Sequence, residues 1–141
     1  MIEVTNIFAG WLTFQIHYGY TTLQFTDSYL DDFREEMDYL LGISRNGQND
    51  EFIYDFQYGI ISRAICLDGE GTLLKLSIIK YEYEDEIVLT WWLNDEVPVS
   101  MVFNYNQLVQ SYCNEMNRVE QEYNEKFLME NEEEGDEDEN E

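Results

Sequence analysis

The sequence predicts an α+β domain: an antiparallel meander sheet of five to seven strands with two helices packed on it, in the order β-β-α-β-β-β-β-β-α, followed by a disordered acidic C-terminal tail. Three observations carry this expectation. Short segments alternate apolar and polar residues with a period of two. Two longer segments space their apolar residues three and four apart. The connections between the strand-like segments are too short for the crossovers that parallel pairing requires.

Residues 11–18, WLTFQIHY, set Leu12, Phe14, Ile16 and Tyr18 on one face and Trp11, Thr13, Gln15 and His17 on the other. Gly19 supplies a turn, and Thr21–Thr26 continue the alternation with Leu23 and Phe25, which makes a β-hairpin. A further short strand over Ile2–Asn6 is an option before it and is not counted in that order. Ser28 then reads as a helix N-cap, with Asp31 three residues on as the capping-box acid. Leu30, Phe33, Met37, Leu40 and Leu41 form one apolar stripe, and Gly42 stands at the position after the last turn. Residues 44–51 read as a loop. Strands are predicted at Phe52–Phe56, Ile60–Leu67, Thr72–Tyr81, Ile87–Leu93 and Val97–Phe103. Asp68-Gly69-Glu70-Gly71, the acidic run Glu82–Glu86 and Asn94–Glu96 make the turns. Pro98 suits the start of a strand or a sheet edge. Asn104 caps the second helix with Gln107 completing the box, and Leu108, Tyr112, Met116, Val119, Tyr123 and Phe127 mark its stripe.

The charge is lopsided. Across 141 residues, 7 Lys+Arg stand against 31 Asp+Glu, a net charge of −24. Residues 130–141, ENEEEGDEDENE, hold nine of those acids and no base. They read as the tail, and 1–129 as the domain. The domain keeps 22 acids against seven bases, or −15, so acidity belongs to the folded part as well. Such a charge repels nucleic acid and anionic membrane alike, so neither is an expected direct partner. No stretch has the ~18 apolar residues of a membrane helix. The opening MIEVTNIFAGW lacks the basic start and apolar run of a secretory signal. Cys66 and Cys113 are isolated, which fits free thiols in a reducing cytoplasm.

Catalytic and ligand-binding patterns are missing. His17 is the single histidine and adjoins no nucleophile motif. No phosphate-binding glycine loop occurs, and the acids of Asp68-Gly69-Glu70-Gly71 would repel a phosphate. Three scattered Cys and His residues do not make a zinc site, and no EF-hand spacing occurs. The expectation is a non-enzymatic protein with no catalytic residues, cofactor or metal. Trp91 and Trp92 are adjacent in a strand and must face opposite sides. One belongs to the core and the other to the second face of the sheet; sequence does not decide which, and Trp92 is carried as the candidate aromatic anchor for a partner.

One resemblance attaches to these motifs. Ser28-Tyr29-Leu30-Asp31-Asp32 through Leu41-Gly42, followed by Phe52-Ile53-Tyr54-Asp55-Phe56, resembles a group of small acidic bacterial proteins over about residues 10–80. That group is similar in size and acidity to immunity proteins of bacterial toxin systems. The resemblance implies inhibition of a basic partner, with no residue roles carried over. Electrostatic steering toward a basic toxin or nucleic-acid-binding protein gives the same expectation. The residues expected to meet it are Asp31, Asp32, Glu35, Glu36 and Asp38 of the first helix, Glu82, Glu84, Asp85 and Glu86 of the acidic turn, and Trp92. The alternative is a nucleic-acid mimic of the phage anti-defence or anti-restriction kind, whose carboxylates would have to imitate a row of phosphates.

Overall fold

In the computed structural model, residues 1–8, 11–27, 30–43, 57–69, 71–94 and 96–139 are described; side chains at 8, 30, 31 and beyond 125 are outside that description. Among the described residues there are seven strands and two helices: β1 (Ile2–Phe8), β2 (Trp11–Tyr18), β3 (Thr21–Asp27), α1 (Leu30–Leu41), β4 (Ile60–Gly69), β5 (Thr72–Tyr81), β6 (Glu86–Leu93), β7 (Val99–Asn104) and α2 (Tyr105–Glu139). The class is α+β with antiparallel meanders, as expected. The order among described elements is β-β-β-α-β-β-β-β-α, so three strands precede the first helix where the expected order has two. The strand expected at Phe52–Phe56 and the cap expected at Ser28 lie outside the described residues.

The single sheet of the sequence reading is two sheets. One has the order β1-β2-β3 and the other β4-β5-β6-β7, with every neighbouring pair antiparallel. Alternation dictates which residues turn inward. Leu12, Phe14 and Ile16 of β2 are buried, as are Ile61, Ile65 and Leu67 of β4, Leu74, Leu76 and Ile78 of β5, and Ile87, Leu89 and Trp91 of β6. They share one core with Phe33, Met37, Leu40 and Leu41 of α1 and with Leu108, Val109, Tyr112, Met116 and Val119 of α2. Trp91 is therefore the core member of the tryptophan pair.

Helix α1 ends as its sequence requires. Gly42 is left-handed at φ 70°. The Gly42 N–H donates to the Tyr39 carbonyl at 3.3 Å and the Ile43 N–H to the Asp38 carbonyl at 2.8 Å, the paired bonds of a Schellman cap. At the start of α2 the Gln107 N–H donates to the Asn104 side-chain oxygen at 3.0 Å, so Asn104 is the N-cap. Among the described side chains the apolar stripe of α2 is buried as far as Val119, and Tyr123 is exposed; the side chain of Phe127 lies outside the described residues. Helical backbone continues through Glu139, across most of the segment 130–141 that composition reads as a disordered tail. Glu is a good helix former, and a helix already nucleated gains one backbone bond per added residue.

Helix α2 also closes the outer edge of β1. The Ile2 N–H donates to Ser111 Oγ at 3.1 Å and the Val4 N–H to Glu115 Oε2 at 2.8 Å. Arg118 Nη2 donates to the Val4 carbonyl at 2.7 Å and to Glu115 Oε2 at 2.9 Å, while Nη1 reaches Glu122 at 2.8 Å. An edge strand otherwise offers free N–H and C=O groups to any passing strand. The Arg118 hydrogen bond, joined by that from Val4, holds the Glu115 carboxyl below its usual range, against the opposing effect of partial burial. A carboxylate whose pKa is depressed by folding stabilises the fold above its unfolded value and loses that contribution as pH falls through the folded one. The Glu115→Gln variant should therefore lose about 1 kcal/mol near neutral pH and less than that at about pH 3. Urea unfolding at the two pH values checks this. An equal loss at both would remove Glu115 from the acid response.

Candidate protein-binding surface

The acidic residues picked out by sequence fall in three places. On α1, Asp32 and Glu35 are exposed and Glu36 is half-buried; the side chain of Asp31 lies outside the described residues. Asp38 is engaged within the fold instead of standing ready for a partner. Tyr112 of α2 is fully buried, and its hydroxyl donates to Asp38 Oδ1 at 2.8 Å, with the Arg34 carbonyl 3.3 Å away. A buried tyrosine hydroxyl needs an acceptor, and the facing helix supplies this carboxylate. Arg34 is paired with Glu120 across the two helices. Burial raises the Asp38 carboxyl above its usual range, opposed by the Tyr112 hydrogen bond and the Arg34 charge. Burial, then the Asp38 charge, pushes the Tyr112 hydroxyl and the Cys113 thiol up as well.

The second place is the turn between β5 and β6. Glu82, Tyr83, Glu84, Asp85 and Glu86 are all exposed. Their backbone is firmly held. Lys80, a buried cation, donates from Nζ to the carbonyls of Tyr81 at 3.1 Å and Glu84 at 3.0 Å, and lies 5.3 Å from the centre of the Tyr105 ring. The Glu84 N–H closes on the Tyr81 carbonyl at 3.2 Å, and the Tyr105 N–H donates to the Asp85 carbonyl at 2.7 Å. The carboxylates thus project from a fixed frame.

This turn carries neighbours that sequence alone did not connect with it. The Glu82 N–H donates to the Gly59 carbonyl at 2.9 Å. Gly59 and Tyr58 form a two-residue turn between Gln57 and Ile60, which exchange two hydrogen bonds of 3.1 Å. Both turn residues are left-handed, at φ 55° for Tyr58 and 78° for Gly59, the form for which Asn-Gly is preferred. Tyr58 stands there at a cost of about 1 kcal/mol, and its side chain is fully exposed. The β2–β3 turn reaches the same end, since the Tyr18 ring meets Phe103 at 5.2 Å and Phe103 is registered with Ile87. Tyr20 on that turn and Tyr83 are fully exposed too. One end of the molecule therefore gathers Tyr18, Tyr20, Tyr58, Tyr81 and Tyr83 around Glu82, Glu84, Asp85 and Glu86. The dipeptide Tyr58-Gly59 in a position for Asn-Gly was the signal available in sequence.

Trp92 is the third place. It lies half-buried on the outer face of the four-stranded sheet, registered with Lys75, whose ammonium is 5.1 Å from the centre of its ring.

His17 makes an arrangement that asks for scrutiny. Its Nδ1 is 3.1 Å from Thr22 Oγ1 and its Nε2 3.1 Å from Glu3 Oε2, the hydroxyl–imidazole–carboxylate sequence of a nucleophile triad. All three lie on an open strand face, in line with the Thr13–Thr26 pair at 2.8 Å and the Gln15–Gln24 pair at 2.7 Å. Neither the cleft of about 290 Å³ between the sheets nor the one of about 250 Å³ beside β1 is lined by His17, Thr22 or Glu3. The geometry is that of cross-strand polar pairing. Among the described residues no three of His, Cys, Asp and Glu gather as metal ligands, and no helix is long and apolar enough to cross a membrane.

The fold and this surface define an acidic α+β protein of two antiparallel sheets with an aromatic and carboxylate-rich end. No family model, curated protein or solved structure matches the chain.

Proposed function

We propose that the chain is a non-enzymatic binding protein that docks on and inhibits a basic protein partner, in the manner of an immunity protein. The observation that carries this reading is the end formed by Glu82–Glu86 and the exposed tyrosines. Carboxylates steer a basic surface inward and raise the association rate. Tyrosines supply contact area at small entropic cost and dominate binding energy once docked. Tyr58 bears backbone strain while its side chain makes no use of the core, which supports a role for that side chain in binding. The compact grouping of acids around one turn supports a toxin-type or nucleic-acid-binding protein partner more than mimicry of a long phosphate row. The free thiols of Cys66 and Cys113 support a reducing, cytoplasmic setting.

Two variants separate steering from docking. With the full chain as bait and the captured basic protein as ligand, the triple change Glu82→Gln, Glu84→Gln and Glu86→Gln should slow association about tenfold at low salt. It should leave dissociation nearly unchanged. Tyr58→Ala with Tyr83→Ala should instead speed dissociation by about tenfold or more. Stopped-flow kinetics at two salt concentrations reads both. An association rate indifferent to salt and to the triple change would overturn the proposal.

A further inference from the structure

The edges of the two sheets are finished differently. β1 is closed by Ser111, Glu115 and Arg118 of α2. β3 and β4 approach one another at Gly69, where an added Cβ would stand 2.3 Å from the Thr26 carbonyl oxygen. Arg63 of β4 also donates to the Tyr39 carbonyl of α1 at 2.6 Å. β7 ends its sheet, and among the described residues no strand pairs with its outer side.

Register decides which groups of β7 are open. The Tyr105 N–H donates to the Asp85 carbonyl at 2.7 Å, and Asn104 is registered with Glu86. Directly opposed residues in an antiparallel pair alternate between exchanging both backbone bonds and exchanging none. Phe103, Met101 and Val99 therefore bond Ile87, Leu89 and Trp91 of β6. Ser100 and Val102 turn their N–H and C=O groups the other way, out from the sheet edge. The Thr90–Ser100 hydroxyl pair at 2.8 Å agrees, since side chains stand closest where no backbone bond is exchanged. Pro98, the next outward position, has no N–H to leave open. The side chains around these groups are apolar and exposed, Val97 by 84%, Val102 by 43% and Val99 by 37%.

Acids stand at both ends of this strand. Glu96 is exposed just before it, and at the far end lie Glu86, registered with Asn104, and Asp85. Lys75, the base on the outer face of this sheet, is two strands away on β5. The Tyr18 ring on Phe103 makes β7 continuous with the aromatic and carboxylate-rich end. We infer that the basic partner presents an extended segment carrying Lys or Arg, which adds to β7 as a further strand of this sheet; this rests on the proposed function and names how that partner is held. Open N–H and C=O groups on alternate residues are met in full by another extended chain. Val97, Val99 and Val102 receive apolar side chains of that segment, and the flanking acids receive its cations. A second copy of this chain, at −24, is repelled by the same acids.

Amide exchange of the full chain, followed residue by residue by NMR, tests this at low salt with an octapeptide of alternating lysine and valine as the probe. In the free chain the Ser100 and Val102 amides should exchange fast, while those of Met101 and Phe103 are protected by β6. Saturating peptide should slow Ser100 and Val102 about tenfold or more. Val102→Pro removes an N–H that β6 does not use, so it should weaken peptide binding about tenfold with an unchanged far-ultraviolet circular dichroism spectrum. If that variant perturbs the fold, the exchange measurement on the unaltered chain decides. The same peptide with glutamate in place of lysine should bind at least about tenfold more weakly. Binding of the lysine peptide that leaves both amides fast overturns strand addition and leaves the basic partner standing. Equal protection by the two peptides overturns the basic occupant, and with it the reading on which this inference rests. The inference also fails if Ser100 and Val102 are already protected in the free chain, or if neither peptide binds.

Discussion

Phe14→Ala is expected to lower stability by about 3–5 kcal/mol, the full range for deleting a buried aromatic. Phe14 is wholly buried at the middle of β2. Its ring meets Phe25 edge-on at 5.9 Å and Phe33 of α1 at 4.6 Å, so one side chain ties β2, β3 and the helix together. Register places Val4 and Phe25 directly beside it on the flanking strands. A cavity bounded by three elements cannot collapse without moving all of them, which puts the cost at the upper end. Domains of this size hold about 5–15 kcal/mol in total, so the variant should melt some 10–20 °C lower. Phe14→Leu should lose less than half as much. Urea unfolding with an unchanged slope and a loss below about 1 kcal/mol would show that Phe14 is not at the centre of the core.

Gly69→Ala should also be costly, by about 2–3 kcal/mol, although it adds one methyl group. A Cβ on Gly69 would stand 2.3 Å from the Thr26 carbonyl oxygen and 3.2 Å from the Phe25 ring. The clashing atom is backbone, so no rotamer relieves it; β3 and β4 would have to part. Elsewhere the same change stabilises by limiting the unfolded chain, typically by 0.4–1 kcal/mol. Gly71 is the natural comparison. It faces open space but is left-handed at φ 74°, so Gly71→Ala should cost about 1 kcal/mol through conformation alone. If Gly69→Ala proves no worse than Gly71→Ala, the two sheets are not in close contact at this point.

Much of this architecture was legible in the sequence because local rules set it. The alternation of Leu12, Phe14 and Ile16, the Thr72–Tyr81 strand, Gly42 as a helix terminator and Asn104 as a cap are short-range choices, each made within a few residues. The division into two sheets was not legible. Alternation says which way a side chain points and nothing about which strand lies beside it, and the β3–β4 approach depends on Gly69, which reads in sequence as part of a turn. The acids show the same divide. Asp38 looks like its neighbours until Tyr112 is brought against it from 74 positions away. Tyr112 within an apolar stripe was the clue that some acceptor had to lie opposite. The tyrosines around Glu82–Glu86 come from three separate turns and meet only through the fold. Trp92 could be placed outward once Trp91 was found buried on the same side of β6 as Ile87 and Leu89.

The closure of β1 by α2 bears on how the chain is made. The bonds that satisfy Ile2 and Val4 join residues 109 to 114 positions apart. At about 5–20 residues per second, a ribosome needs some 5–20 s to deliver Ser111 and Arg118 after Val4 has emerged. Throughout that interval the nascent chain carries an open strand edge that can pair with a neighbouring nascent chain. Long-range closure of this kind also slows folding. The last helix acts as a latch on the first strand, and slower translation past residue 104 would lengthen the period in which misassembly competes with closure.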